Sequence, residues 1–160
     1  MRWAPFGPAG RDAASEPVTT NLERVLAANR RHAGAGRPAL VDRAPARRLV
    51  VLTCMDARID PLSALGLRHG DAHVLRNAGA LVTDDVLRSL VVSQEMMGTR
   101  EALVIAHTDC AGFDTTDAAV AAVRHGARLI RGFDGLADDY LAHPLLFDVR
   151  SGLVQPVDPA

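Results

Sequence analysis

The sequence predicts an α/β domain with a mainly parallel central sheet flanked by helices, and three observations carry that prediction. Two short runs, RLVVLT at Arg48–Thr53 and ALVIA at Ala102–Ala106, are continuously apolar and rich in β-branched residues. That is the pattern of strands buried on both faces. Longer segments with apolar residues at helical spacing lie between and after them, each behind a Thr that can cap it. Strand and helix signals therefore alternate, as they do in sheets built from crossover units. The length, 160 residues, suits one core and is too short for two.

Taken in order, residues 1–17 are rich in Pro, Gly and Ala without apolar periodicity and read as a flexible arm, leaving 18–160 as the folded domain. Thr20 followed by Glu23 forms a capping-box signature, and Leu22, Val25 and Leu26 give the helix behind it an apolar stripe. Gly34–Pro45 reads as a linker, followed by the first buried strand and then a short strand at Ala72–Leu75. Thr83 caps a helix with Asp84 and Asp85 at its positive end; Val86, Leu87, Leu90, Val91 and Met97 form its inner side, and Gly98 stops it. After Ala102–Ala106, a helix opens at Thr116 with Val120, Val123, Ala127 and Ile130 inward and ends near Gly132. Leu145–Val149 reads as a last, edge strand, with a turn at Ser151–Gly152.

Composition excludes several function classes. All 18 basic residues are Arg, against 19 acidic ones, so Schiff-base lysine chemistry and a Lys-dependent phosphate loop are ruled out. A net charge of −1 offers no electrostatic reason for a nucleic-acid or anionic-membrane partner. No apolar run is long enough to span a bilayer. Pro and Gly interrupt the first residues where a secretory peptide would be apolar, so a reducing cytoplasm is the expected compartment. Two cysteines, Cys54 and Cys110, are too few for a disulfide framework.

Ligands of open parallel sheets bind beyond the carboxyl ends of the strands. RLVVLT runs into Cys54-Met55-Asp56-Ala57-Arg58, and ALVIA runs into His107-Thr108-Asp109-Cys110. If the two strands are neighbours, Cys54, His107 and Cys110 converge. Two thiolates and an imidazole make a three-ligand set for Zn²⁺ with a fourth position open. Other readings stand beside it: core thiols, or a disulfide disfavoured in a reducing compartment. A phosphatase-type loop fails, because it needs Arg six residues after the Cys, where Asp60 stands.

The stretch Val50–Cys110 resembles a β-class carbonic anhydrase of the short prokaryotic branch. It carries, in order, C-x-D-x-R, G-D-A-H-V-x-R-N-A-G, D-D-x-x-R-S-L, M-G-T-R-E and H-T-D-C, with a weaker likeness back to Val18 and on to FDVRSG at Phe147–Gly152. The resemblance implies one Zn²⁺ per chain on Cys54, His107 and Cys110, with Asp56 and Arg58 as the catalytic Asp–Arg pair beside it. It implies reversible hydration of CO₂ to bicarbonate and a proton by zinc-bound hydroxide, with Asp56 on the metal in a resting form until Arg58 draws it away. Asn77, Ala78 and Gly79 match the family's substrate-lining segment, and assembly as a homodimer or larger oligomer follows from the same likeness.

Other positions carry plainer expectations. Gly70, Gly79 and Gly98 serve turns or close backbone approach; Arg76 and Arg88 suit structural ion pairs; His32, His69, His73, His125 and His143 suit surface or packing roles. Asp109 suits a hydrogen bond to a ligand residue or a turn cap. Two departures from the family pattern stand out. Ala111 occupies a usual Gly position, at a cost of roughly 1–2 kcal/mol if φ there is positive. The region after Cys110 looks shortened, and Gly132–Pro144 is a poor substitute for the helix that relatives place there. The same fold with zinc could instead hydrolyse carbonyl sulfide or carbon disulfide, or bind zinc without catalysis.

Overall fold

The structure is a computed structural model that describes residues 20–35 and 41–157; the arm expected at 1–17 lies outside the described residues. The chain divides into two units, Met1–Leu40 and Val41–Ala160. In the first, α1 (Asn21–Gly34) begins with the capping box legible in the sequence: Glu23 N donates to Thr20 Oγ1 at 3.2 Å, and Thr20 N donates to Glu23 Oε2 at 2.7 Å. Its stripe of Leu22, Val25 and Leu26 is exposed.

The second unit is a five-stranded sheet in the order β2-β1-β3-β4-β5. The strands are β1 (Leu49–Cys54), β2 (Ala72–Asn77), β3 (Glu101–His107), β4 (Leu141–Phe147) and β5 (Val154–Pro156). β1 pairs in parallel with β2 and β3, and β3 in parallel with β4; only β5 runs antiparallel. The predicted α/β class and mainly parallel sheet are thus found. Every residue of β1 is buried, as its unbroken apolar run requires.

Three helices complete the unit: α2 (Pro61–Ala64), α3 (Asp84–Met97) and α4 (Thr116–Arg131). Val86 and Leu90 of α3 join Ala119, Val123, Ala127 and Ile130 of α4 in one cluster with Val50, Leu52, Ala102 and Val104 of the sheet. The alternate residues Leu49, Val51 and Ile105 build a second cluster with Ile59, Phe147 and Cys54. α3 is capped by Thr83 and stopped by Gly98 at φ 71, where Arg48 Nε closes the end by donating to the Gly98 carbonyl at 2.7 Å. α2 was not anticipated. Its signals are local, with Asp60 accepting from Ser63 N and Pro61 at the first helical position.

The last strand departs from expectation. It spans Leu141–Phe147 rather than Leu145–Val149, and it is not an edge, since β5 covers it. His143 and Pro144 break the apolar run that marks a strand. Pro144 is tolerated because its carbonyl, accepting from Val157 N at 3.0 Å, faces the β5 side. Its missing N–H faces the same way, so the ladder to β3 loses nothing. No helix stands between α4 and β4; that connection is a chain of turns that buries Leu136 and Tyr140 instead.

Candidate metal centre

The 2-1-3-4-5 order makes the gap between β1 and β3 the topological switch point, because the connections from these neighbouring strands leave in opposite directions. Cys54 ends β1 and His107 ends β3, with Thr53 in register with Ile105 just before the strand ends. Beyond β3, the turn 108–110 brings Cys110 back, so that the candidate ligand atoms of Cys54, His107 and Cys110 all lie within 4.8 Å of one another.

Three features show that this group suits a metal. The Cys54 and Cys110 sulfurs are 4.0 Å apart and both residues are free thiols. Two sulfurs bound to one tetrahedral zinc lie about 3.8 Å apart. His107 is buried, and its Nδ1 is 2.9 Å from the Thr108 carbonyl. A carbonyl only accepts, so Nδ1 carries the proton and Nε2 presents a lone pair. That Nε2 is buried without any hydrogen-bond partner, an arrangement costly for a polar atom unless something occupies its lone pair. Burial, with the neighbouring Cys54 adding to it, pushes the Cys110 thiol up from its ordinary pKa.

Asp56 and Arg58 flank the group. The guanidinium of Arg58 grips both Asp56 carboxylate oxygens, Nε to Oδ1 at 3.0 Å and Nη2 to Oδ2 at 2.7 Å. These hydrogen bonds hold the Asp56 carboxyl down to about 2 against the opposing effect of burial, so it is ionised at neutral pH. The other partner responds in kind, with Arg58 pushed up. Asp56 Oδ2 stands 4.0 Å from His107 Nε2.

The remaining predicted positions divide. Gly79, at φ 84, donates its N–H to Cys54 Sγ at 3.4 Å, and a Cβ there would meet Phe113 Cε2 at 2.7 Å. Asn77 and Ala78 line a cleft of about 350 Å³ with Leu75, Arg76 and Leu81, a cleft that none of the three candidate ligands borders. The Asn77 amide is turned onto the Leu81 backbone, donating at 2.7 Å and accepting at 2.9 Å. His73 is bound between Ser93 Oγ and the Arg43 carbonyl, and His143 pairs with Glu101.

Two residues act differently from their sequence reading. Arg76 makes no ion pair among the described residues: its Nε donates to the Cys54 carbonyl at 3.0 Å and its Nη2 to the Asp56 carbonyl at 2.7 Å, stapling the loop that carries both residues to the end of β2. Among its described hydrogen bonds Asp109 meets none of Cys54, His107 and Cys110; it accepts from Arg58. Ala111 carries no positive φ, so the expected strain is absent there and falls on Asp109 at φ 55. Nothing in the local sequence names these partners.

Fold and site together define an α/β protein with a Cys–His–Cys group that could hold a metal ion at the β1/β3 switch point. Residues 49–135, more than half of the chain, match the family model described as carbonic anhydrase. The chain belongs to the carbonic anhydrase family, in its β class. It is 51% identical over 73 residues to β-carbonic anhydrase 1 of Mycobacterium tuberculosis, covering 46% of this chain and 45% of that protein. It is 55% identical over 64 residues to a carbon disulfide hydrolase of Saccharolobus solfataricus, covering 40% of this chain and 31% of that one. The matched stretch thus spans half or less of these curated relatives. Among solved structures, the carbonic anhydrase of Streptococcus mutans superposes with a TM-score of 0.79 at 32% identity, covering 88% of this chain and 99% of that one.

Proposed function

We propose that this chain is a zinc-dependent carbonic anhydrase, interconverting carbon dioxide and water with bicarbonate and a proton. The observation that carries this reading is the buried, partnerless His107 Nε2 beside two thiols at a spacing suited to a tetrahedral ion. Cys54, His107 and Cys110 would hold one zinc ion per chain. When bound, zinc supplies a Lewis acid that makes hydroxide available from water near neutral pH.

The other tasks fall to the chain's own residues. Asp56, ionised and fixed by Arg58, accepts a hydrogen bond from the attacking oxygen and turns its lone pair toward the CO₂ carbon. Arg58 keeps that carboxylate ionised and turned aside from the ligand atoms. Thr108 holds His107 in the tautomer that points its lone pair inward. Arg76 holds the Cys54–Asp56 loop by its carbonyls, and within the Asn77–Gly79 segment it is Gly79, with its N–H directed at Cys54 Sγ, that reaches the ligand atoms. The proposal includes assembly as a homodimer or larger, in keeping with the two tetrameric β-carbonic anhydrases of Sordaria macrospora that share the fold. It also includes a cytoplasmic location; no helix among the described residues is long and apolar enough to cross a membrane.

A second reading, carbon disulfide or carbonyl sulfide hydrolysis at the same site, is favoured by identities of 55% and 52% over 64 residues to two carbon disulfide hydrolases. One experiment weighs both. Zinc content and hydration rates are measured for the wild type and Cys54→Ser, with carbon disulfide and carbonyl sulfide assayed in parallel. The expected result is about one zinc per wild-type chain, CO₂ hydration as the preferred reaction, and loss of both metal and activity in Cys54→Ser. A wild type without zinc, or one that prefers a sulfur substrate, overturns the proposal. Stoichiometric zinc without turnover of any of the three would leave a metal-binding protein that is not an enzyme.

A further inference from the structure

Arg58 is held from two sides, and only one of them belongs to the Asp–Arg pair. While Nε and Nη2 grip Asp56, Nη1 donates to Asp109 Oδ2 at 2.7 Å and Nη2 to the Asp109 main-chain carbonyl at 2.8 Å. Four of the five guanidinium donors are thereby engaged. Asp109 sits in sequence between the candidate ligands His107 and Cys110, with φ 55. Glycine adopts that left-handed backbone more readily than any residue with a side chain. A carboxylate stands where the turn alone would favour glycine, and its described hydrogen bonds are those with Arg58.

We propose that Asp109 is a positioning residue: it anchors Arg58, and Arg58 so anchored keeps Asp56 beside the ligand atoms rather than among them. Asp56 Oδ2 lies 4.0 Å from His107 Nε2, within reach of the ligand cluster by a side-chain rotation. A guanidinium tied to Asp56 alone would travel with it. Tied also to Asp109, 51 residues further along the chain, it is a fixed post to which Asp56 returns. The same bonds tie the Cys54–Arg58 loop to the turn that carries Asp109. Arg58 is half exposed and the Asp109 side chain is mostly exposed, which sets the effect at a modest size.

The kinetic part of the test rests on the proposed carbonic anhydrase activity; the spectroscopic part does not. Asp109→Gly removes the carboxylate and suits the backbone, so misfolding does not intervene, and Asp109→Asn keeps an acceptor oxygen. Both are made in the full zinc-loaded chain, alone and together with Arg58→Gln. Asp109→Gly should unfold at the same or higher denaturant, with zinc affinity within about threefold of wild type, and lose about fivefold in kcat/KM through kcat rather than KM. Asp109→Asn should recover most of that loss. In the Arg58→Gln background Asp109→Gly should cost nothing further, because the carboxylate acts through Arg58. Independently, solvent exchange of the Arg58 Nε–H, assigned by its loss in Arg58→Gln, should speed up about tenfold in Asp109→Gly. Unchanged exchange, an equal fall in both backgrounds, or zinc affinity dropping in step with kcat/KM would each overturn the anchor. Faster exchange in a wild-type frame that hydrates no CO₂ would overturn the activity and leave the anchor standing.

Discussion

Gly79 answers to three demands at once: a left-handed backbone, an N–H directed at Cys54 Sγ, and a Phe113 ring that leaves no room for a Cβ. Replacing it with Ala adds backbone strain to an overpacked contact, so Gly79→Ala should lose about 2–3 kcal/mol of stability. Urea unfolding of the two proteins measures this, and a loss under half of that would mean that Phe113 gives way freely. At this scale the sequence is informative where a residue's own chemistry decides. Gly70, Gly79 and Gly98 are readable as turn or close-approach positions, and all three have positive φ. It is uninformative where a side chain's role depends on what comes to meet it. Arg76 and Asp109 are such residues: one is drawn to two carbonyls and the other to a guanidinium, groups that distant parts of the chain deliver.

Among the elements, the β4–β5 connection shows how a short motif becomes a joint. Asp148 Oδ1 accepts from Arg150 N at 2.8 Å and Ser151 N at 2.9 Å, and Gly152 closes the turn at φ 74. Those backbone donors hold the Asp148 carboxyl below its ordinary pKa. The folded state therefore favours the ionised form. Its contribution is complete above the unfolded pKa, near 3.8, and is lost as pH falls through the lower folded value. Asp148→Asn removes the charge and keeps an acceptor. The stability gap between wild type and Asp148→Asn should be present at pH 7 and close as the pH is lowered below 4, as followed by urea unfolding at a series of pH values. A gap that stays constant across that range would show that the charge is idle. The turn at Ser151–Gly152 is legible because Ser and Gly encode it locally. The strand before it is misplaced in a sequence reading because Pro144 argues against a strand until the direction of its carbonyl is known.

For the whole molecule, the candidate ligand set bridges segments that are otherwise joined through the sheet and through Arg58: the end of β1 and the turn after β3. A metal bound there stabilises the native state by mass action, by about 4 kcal/mol when free zinc exceeds its dissociation constant a thousandfold. Chelation should therefore lower the unfolding midpoint of the wild type, and zinc should restore it. Cys54→Ser should unfold at one midpoint with or without chelator. A wild type indifferent to chelator would show that Cys54, His107 and Cys110 bind no metal strongly.

The sequence by itself determined that β1, β2 and β3 are strands and α1, α3 and α4 helices, where α1 and α3 are capped, and which candidate ligands stand at the strand ends. Burial runs, 3.6-residue spacing and cap signals are written within a few neighbouring positions, and a family's motif order is read along the chain. Only the tertiary structure decided that β1 and β3 lie side by side, that β4 is covered by β5, and that Arg58 is shared between Asp56 and Asp109. Each of these is a meeting of groups far apart in sequence. Such meetings are set by the pairing of strands and the packing of helices on them, which no local pattern specifies.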